Sequence, residues 1–393
     1  MAATNTTLKA LSAAALALPA FSNSQAASVA DKTSLAYQYS FYQEDNAPAN
    51  KVISGDTDRY DINVHQFQLL TPINEHLEIA LDFAYERMSG ASPWFLGPDE
   101  NNNPVQVMSG ASISESRQDS HIGASYYLEK SKINLGLGLS EENDYRAISA
   151  QLGGEFELNN KQTTLHWGLS GSSDKIQPTD ADIFPLRVKK EHKKSQGLLL
   201  GVTQIINRHQ LIQATLSYQH TSGFLSDPYK QVLVANNIVA DKRPENKNQW
   251  TGQVDYRDFF SAADGALQLS YRYYHNSWAL HSHTLDAAWV QNFAQQWQIT
   301  PSIRYYSQRQ AEFYGAFFEQ NPNDNLYSSD YRLSSYGAWS FGLKLKKEFE
   351  NWGFNVFLQR YISDGDYALE PSHSTDPALL DYTLLSIGFH FSF

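Results

Sequence analysis

The stretch LLSIGFHFSF, residues 384–393, carries the clearest structural signal in the sequence. Within it, apolar residues alternate with small or polar ones from Leu385 to Phe393. Because successive side chains of a β-strand point to opposite faces, this pattern predicts a strand with one apolar and one polar face. The fold therefore depends on what surrounds the apolar face.

The same alternation recurs along most of the chain. Apolar residues occupy every odd position from Leu77 to Tyr85 and from Ile133 to Leu139, with small, polar or charged residues between them. The number of such runs predicts about sixteen strands. The apolar phase changes between Val64 and Phe67, which predicts a β-bulge there.

The predicted strands are joined by connections of two kinds. Tight connections such as Asn159-Asn160 alternate with long polar segments, among them 89–111, 223–246 and 311–332. Short turns at one end and long loops at the other are typical of outer-membrane barrels. We therefore predict an all-β fold, a transmembrane antiparallel up-and-down β-barrel of about 16 strands with short periplasmic turns and long extracellular loops. The alternative is a soluble β-sandwich, in which the apolar faces would pack against each other.

The N-terminal segment indicates export. Residues 1–26, MAATNTTLKALSAAALALPAFSNSQA, place Lys9 before a short apolar run and end in small residues. This pattern predicts a cleaved signal peptide, so residues 27–393 would form the barrel and the protein would reside in the outer membrane. The alternative is a short amphipathic helix of the mature protein.

Composition narrows the function further. The 393 residues include 41% hydrophobic residues, yet the mean hydropathy is −0.47, and beyond the first thirty residues no apolar run is long enough for a membrane-spanning helix. The formal net charge of −12 argues against a nucleic-acid partner. The absence of cysteine excludes disulfides and thiolate chemistry.

Four segments of the second half have a more specific character. They are DPYKQVLVANNIVADKRPENKNQW (227–250), YRYYHNSWALHSHTLDAAW (271–289), RYYSQRQAEFYG (304–315) and SSDYRLSSYGAWSFGLKL (328–345). These segments resemble an uncharacterised outer-membrane family, domain of unknown function 3570. The resemblance is good from about residue 210 onward, and before that it lies in architecture more than in motif. The resemblance implies a barrel without an established activity. It also implies an association with redox proteins of the cell envelope.

The inward face of the barrel is where a pore would be lined. If even positions face inward, Arg272, Asp286 and Arg304 lie on consecutive strands near other charged residues. The pore-lining candidates are Arg272, Arg304, Asp255, Asp286, Arg257 and Lys344. An acidic row is expected on the other side, formed by Glu78, Asp82, Glu86, Glu155 and Glu157. Opposed charged walls would orient dipolar solutes and set ion preference. The alternative is a structural ladder in which these charges neutralise one another.

Other chemistry has weak support. His281 and His283 share one strand face and are weak candidates for copper or zinc ligands, but their odd positions predict an outward face. Solvated or interfacial histidines are the alternative, so no metal site is predicted. The sequence lacks a G-x-S-x-G elbow, a phosphate loop and a dinucleotide fingerprint. We therefore expect neither enzymatic activity nor a cofactor.

The sequence is compatible with two functions. The first is a porin-like channel for small solutes in a Gram-negative outer membrane. The second is a non-conducting barrel that acts as scaffold or partner for a periplasmic or envelope system, redox or metal-related. The expected partners are outer-membrane lipid, the outer-membrane assembly machinery and, for the second function, a periplasmic protein. Phe393 resembles the terminal aromatic residue of the insertion signal recognised by that machinery.

Overall fold

The computed structural model describes residues 28–109, 113–370 and 375–393. The predicted signal peptide, residues 1–26, lies outside the described residues and stays a prediction. No helix in the described ranges is long and apolar enough to span a membrane.

Sixteen antiparallel strands form a closed barrel, which confirms the predicted fold class. They are β1 (Ser34–Glu44), β2 (Asp61–Pro72), β3 (Leu77–Gly90), β4 (Ile113–Tyr127), β5 (Ser131–Glu142), β6 (Tyr145–Leu158), β7 (Thr163–Ile176), β8 (Glu191–Ile205), β9 (Gln210–Gly223), β10 (Asn246–Phe260), β11 (Gly265–Asn276), β12 (His281–Phe293), β13 (Trp297–Gln308), β14 (Tyr336–Glu348), β15 (Trp352–Asp364) and β16 (Tyr382–Ser392).

The last strand closes the barrel. β16, which contains the alternating LLSIGFHFSF stretch, pairs with β1 from Ser34 opposite Ser392 to Glu44 opposite Tyr382. Each other strand pairs with its neighbours in the chain. Closure leaves no sheet edge, so no row of backbone N–H and C=O groups faces hydrocarbon without hydrogen-bond partners.

The two ends of the barrel differ in their connections. At one end, all seven connections contain three or four residues, and the turn after β6 uses left-handed backbone at Asn159 and Asn160. At the other end, six connections are long, and the two short ones are 143–144 and 277–280. The long connections contain additional strands: Val52–Ser54, Pro93–Pro98 and Pro104–Met108 form a small sheet, and Gln231–Val234 pairs with Asn237–Ala240.

The outer surface is an apolar band. Leu285 is 52% exposed and Leu343 is 48% exposed. Exposing apolar side chains to this extent on nearly every strand would be unfavourable in water. Aromatic residues border the band at both ends. Tyr305 and Trp339 lie near the loop end with ring centroids 4.7 Å apart, and Phe349 and Trp352 stack at the short-turn end. On β13, the aromatic level at the loop end and the one at the short-turn end are eight residues apart. At the ordinary rise and tilt of a strand this corresponds to roughly 20 Å, which matches the hydrocarbon core of a bilayer.

The predicted bulge in β2 is wrong. Its pairing with β1 and with β3 runs without a register shift. The apparent change of phase arises because Ile62 and Val64 face inward, where they pack with Tyr42, Tyr60 and Met88 in a buried cluster at the loop end. The alternation itself is present, but a bulge follows from it only if every apolar residue faces outward, and Ile62 and Val64 do not.

Candidate functional site

One wall of the barrel interior carries most of the predicted pore-lining residues. Asp286 on β12 lies directly opposite Arg304 on β13, and Nε of Arg304 is 2.5 Å from Oδ1 of Asp286. The two side chains are 33% and 48% exposed inside the barrel. This part of the set therefore forms the charge ladder that was the alternative interpretation.

The other residues of this wall are not neutralised in that way. Among the residues described, Arg272 has no ion-pair partner, and its only hydrogen bond is a long one, 3.5 Å from Nη2 to Oγ1 of Thr284. Asp255 accepts hydrogen bonds from Nε2 of Gln253 at 3.0 Å. Arg257 is exposed two residues further along β10. On this strand the odd positions face inward, because Trp250 and Val254 occupy the outward row.

Lys344 lies lower on the same side, nearer the short turns. It faces inward on β14 opposite Phe357 of β15. Below it, Lys346 pairs with Glu348, and Nε2 of His390 lies 2.9 Å from the same carboxylate. The structure thus places five of the six candidates around one cavity and Lys344 beneath it.

The opposite wall is only partly acidic. The strand phase places Glu78, Asp82, Glu86, Glu155 and Glu157 on the inward side, as predicted. However, Arg117 lies buried among them, with Nη2 2.7 Å from Asp119 and Nη1 3.8 Å from Glu86. Sequence reasoning missed Arg117 because the first half of β4 is polar on both faces, so no apolar row indicates its phase.

The long connections turn inward and pack together over the loop end. We call the segments 45–60, 91–109, 224–245, 309–335 and 375–381, which belong to five of these connections, the loop cap. Val234 and Phe318 form a backbone bridge, as do Lys242 and Tyr327. Nη1 of the buried Arg59 donates to the carbonyl of Ala378 at 3.0 Å. The 223–246 and 311–332 loops therefore fold inward, a direction that the sequence alone could not give.

Buried ion pairs hold the loop cap together. Asp330 has no exposed surface and contacts Arg332 (Nε to Oδ1, 2.8 Å) and Arg243 (Nη2 to Oδ2, 2.9 Å). Nη2 of Arg332 also lies 2.9 Å from Asp227. Burial favours the neutral form of Asp330, but Arg332 and Arg243 outweigh it, so the pKa of this carboxyl lies well below its usual range.

A second carboxyl of the loop cap titrates differently. Tyr314 donates its hydroxyl hydrogen to Asp376, and the Ala378 amide donates to the same carboxyl at 2.7 Å. Burial, which these hydrogen bonds only partly oppose, raises the pKa of Asp376 to about 6. This contact links the 309–335 connection to the 375–381 segment.

A cavity of about 750 Å³ lies beneath the loop cap, in the upper part of the lumen. Its charged lining consists of the cations Lys193, Arg243, Lys247, Arg272 and Arg332 and the carboxylates Asp174, Asp227 and Asp330. A second cavity of about 380 Å³ contains Asp255, Arg257, Asp286 and Arg304. Arg272 lines both, so the two spaces share one stretch of wall. None of the other upper cations was identified from sequence.

The two candidate metal ligands lie outside the lumen, on the outward row of β12. Nδ1 of His283 is 2.8 Å from the hydroxyl of Tyr271, and Nε2 of His281 is 3.5 Å from Glu370. Within the described ranges, no group of three or more His, Cys, Asp or Glu side chains is arranged to hold a metal ion.

A closed barrel with an apolar outer band and a charged interior defines an outer-membrane β-barrel protein. The chain belongs to the family described as "Protein of unknown function (DUF3570)", whose family model matches residues 8–383. The family resemblance is therefore confirmed, and it extends over nearly the whole chain, beyond the second half in which the sequence motifs were clearest.

Known structures support the fold alone. A "Bacterial polysaccharide outer membrane secretin" is similar with a TM-score of 0.52 and 9% identity, over 93% of this chain and 99% of that one. CdiB from Acinetobacter baumannii is similar with a TM-score of 0.53 and 9% identity, over 92% of this chain and 60% of that one. No curated protein matches the sequence significantly.

Proposed function

We propose that this protein is an outer-membrane channel for small solutes, held closed in the present conformation by the loop cap. The observation that carries the proposal is the pair of charged cavities that share Arg272 along one inner wall. Sixteen strands enclose a barrel wide enough for an aqueous lumen. Exposed Arg257, Arg272 and Arg304 inside that lumen require water around them.

In this proposal, the short turns face the periplasm and the loop cap faces outward. The protein would reach the membrane through a cleaved signal peptide and the outer-membrane assembly machinery. Phe393, which is 73% exposed, would be available to that machinery. We assign the barrel no catalytic role.

A second candidate function is a non-conducting scaffold that partners a periplasmic protein. The observation that favours it is the loop cap itself, because buried ion pairs such as Arg59 with Glu44 at 3.0 Å resist opening. A scaffold needs no lumenal path, and its binding surface would lie on the short turns or on the loops.

Planar bilayer recordings of the refolded full-length protein separate the two functions. A channel would give discrete current steps of defined size, and these steps would be rare while the loop cap is closed. The scaffold function would give silence under every condition, including after the cap has been destabilised by mutation. Co-purification of a periplasmic protein with a silent barrel would support the scaffold.

A further inference from the structure

Among the residues that the structure describes, Lys247 in the upper cavity has no carboxylate partner. It lies near the loop end of β10 opposite Thr221, and its Nζ is 4.4 Å from the centroid of the Trp278 ring. Two further cations, Arg243 and Lys193, line the same cavity. A partly desolvated ammonium group among cations is costly unless an anion joins it.

The other charges of the cavity, except Arg272, are already paired. Asp174 is bound by Lys193 at 3.2 Å, Asp227 by Arg332, and Asp330 by Arg332 and Arg243. In the described part of the chain, neither Lys247 nor Arg272 forms an ion pair with another residue of the cavity lining. The cavity therefore has two cations in excess, one near the cap and one lower in the lumen.

Part of the lining of the same cavity is apolar. Leu280 and Leu333 belong to a buried cluster with Trp278, and Leu225 packs against it. All four side chains line the cavity. Its volume of about 750 Å³ lies in the range of small-molecule sites. An excess cation beside an apolar surface suits a solute with one charged end and one apolar end.

We propose that the upper cavity binds a small organic anion with an apolar body, its carboxylate at Lys247 and its hydrocarbon part against Leu225, Leu280 and Leu333. As a statement about the transported solute, this inference rests on the proposed channel function. Binding itself is measured without conduction, so the two proposals can fail separately.

The probes are pentanoate, its neutral isostere pentanamide, and inorganic phosphate, which has charge without an apolar body. Each is titrated calorimetrically into the refolded full-length protein in detergent. We expect one pentanoate per barrel, with binding of pentanamide and of phosphate weaker by about ten-fold or more, because each lacks one of the two required features.

The variants are Lys247→Gln and the control Lys132→Gln. Lys132 is a suitable control because its Nζ also lies over an aromatic ring, 5.0 Å from the centroid of Tyr127, but it does not line the cavity. We expect Lys247→Gln to weaken pentanoate binding about ten-fold and Lys132→Gln to leave it unchanged. Circular dichroism and heat-dependent gel mobility verify that both variants fold, and Lys247→Arg should retain binding.

Three results would overturn the proposal: no pentanoate binding, equal binding of pentanoate and pentanamide, or equal losses in the two glutamine variants. Pentanoate binding to a barrel that never conducts would refute the channel and leave the anion site standing. Conduction without pentanoate binding would refute the anion site alone.

Discussion

The loop cap and the lumenal wall both contain many charges, but they arrange them in opposite ways. In the cap, Asp330 is fully buried between two arginines, and Arg59 and Glu44 pair with almost no exposure. On the wall, Arg272 is exposed and has no carboxylate partner among the described residues, and Arg304 and Asp286 form a partly exposed pair.

This difference assigns the two regions different tasks. Removing one member of a buried pair leaves a desolvated charge, so the cap ion pairs fix how the loops pack. An exposed pair contributes little to stability and can exchange its partner for a passing ion. In the proposed channel, the cap would thus act on whether the lumen is open, and the wall would act on which solutes pass.

Breaking the cap should have the largest effect. Arg332→Ala would leave Asp227 and Asp330 buried without their main partner, at a cost of about 3–5 kcal/mol to the closed arrangement. We expect the open probability in bilayers to rise by roughly 100-fold or more. Arg309→Ala is the matched control, since Arg309 lies in the same connection but its contact with Glu370 is exposed and 3.8 Å long. Equal behaviour of the two variants would show that the buried pairs do not close the barrel.

The effect of pH on the open probability should be smaller than the effect of Arg332→Ala, and it should arise from the titration of Asp376. Because its pKa in the closed cap is raised from 3.8 to about 6, the stability that it contributes is complete at low pH and is lost as the pH rises through about 6. We expect open probability to rise roughly ten-fold between about pH 5 and about pH 7.

Asp376→Asn should abolish this pH dependence, because the amide cannot ionise but still accepts the hydrogen bond from Tyr314. Asp366→Asn, an exposed change in the same connection, should leave it intact. Recordings across the pH series test both variants, and a pH response that survives in Asp376→Asn would exclude this carboxyl as its origin.

Substitutions on the lumenal wall should change the ion selectivity by a few-fold and leave the open probability unchanged. In the Arg332→Ala background, changing both Arg272 and Arg304 to Glu should shift ion preference toward cations, measured as the reversal potential in a salt gradient. Arg272→Glu alone should shift it more than Arg304→Glu, because Asp286 already offsets Arg304. An unchanged reversal potential in the double variant would remove these arginines from the pore.

The outward surface was predictable because lipid imposes one requirement on every strand. The row Trp339, Phe341, Leu343 and Leu345 repeats an apolar residue at each second position, and most of the sixteen strands follow from such rows. The inward surface follows no single rule. Ile62 and Val64 are apolar and inward, and Arg117 lies on a segment without an apolar row.

The loop cap was beyond sequence reasoning for a different reason. The contact between Arg332 and Asp227 joins residues 105 positions apart in loops without periodicity. Trp250 lies in the outward row of β10, so Lys247, three residues earlier, can be predicted to face inward. However, nothing in the sequence shows that the neighbours of Lys247 are cations. Local patterns therefore identified the wall, and long-range packing determined the cap and the cavity.

The most direct test is the accessibility of a single cysteine at position 272, which is feasible because the chain contains no other cysteine. A membrane-impermeant thiol reagent added from the loop side should not label Arg272→Cys while the cap is intact, but should label it from the short-turn side. Adding Arg332→Ala should allow labelling from both sides, and Leu343→Cys, facing lipid, should stay unlabelled throughout. Labelling of Arg272→Cys from the loop side with an intact cap, or from neither side after Arg332→Ala, would contradict a water-filled lumen closed by its loops.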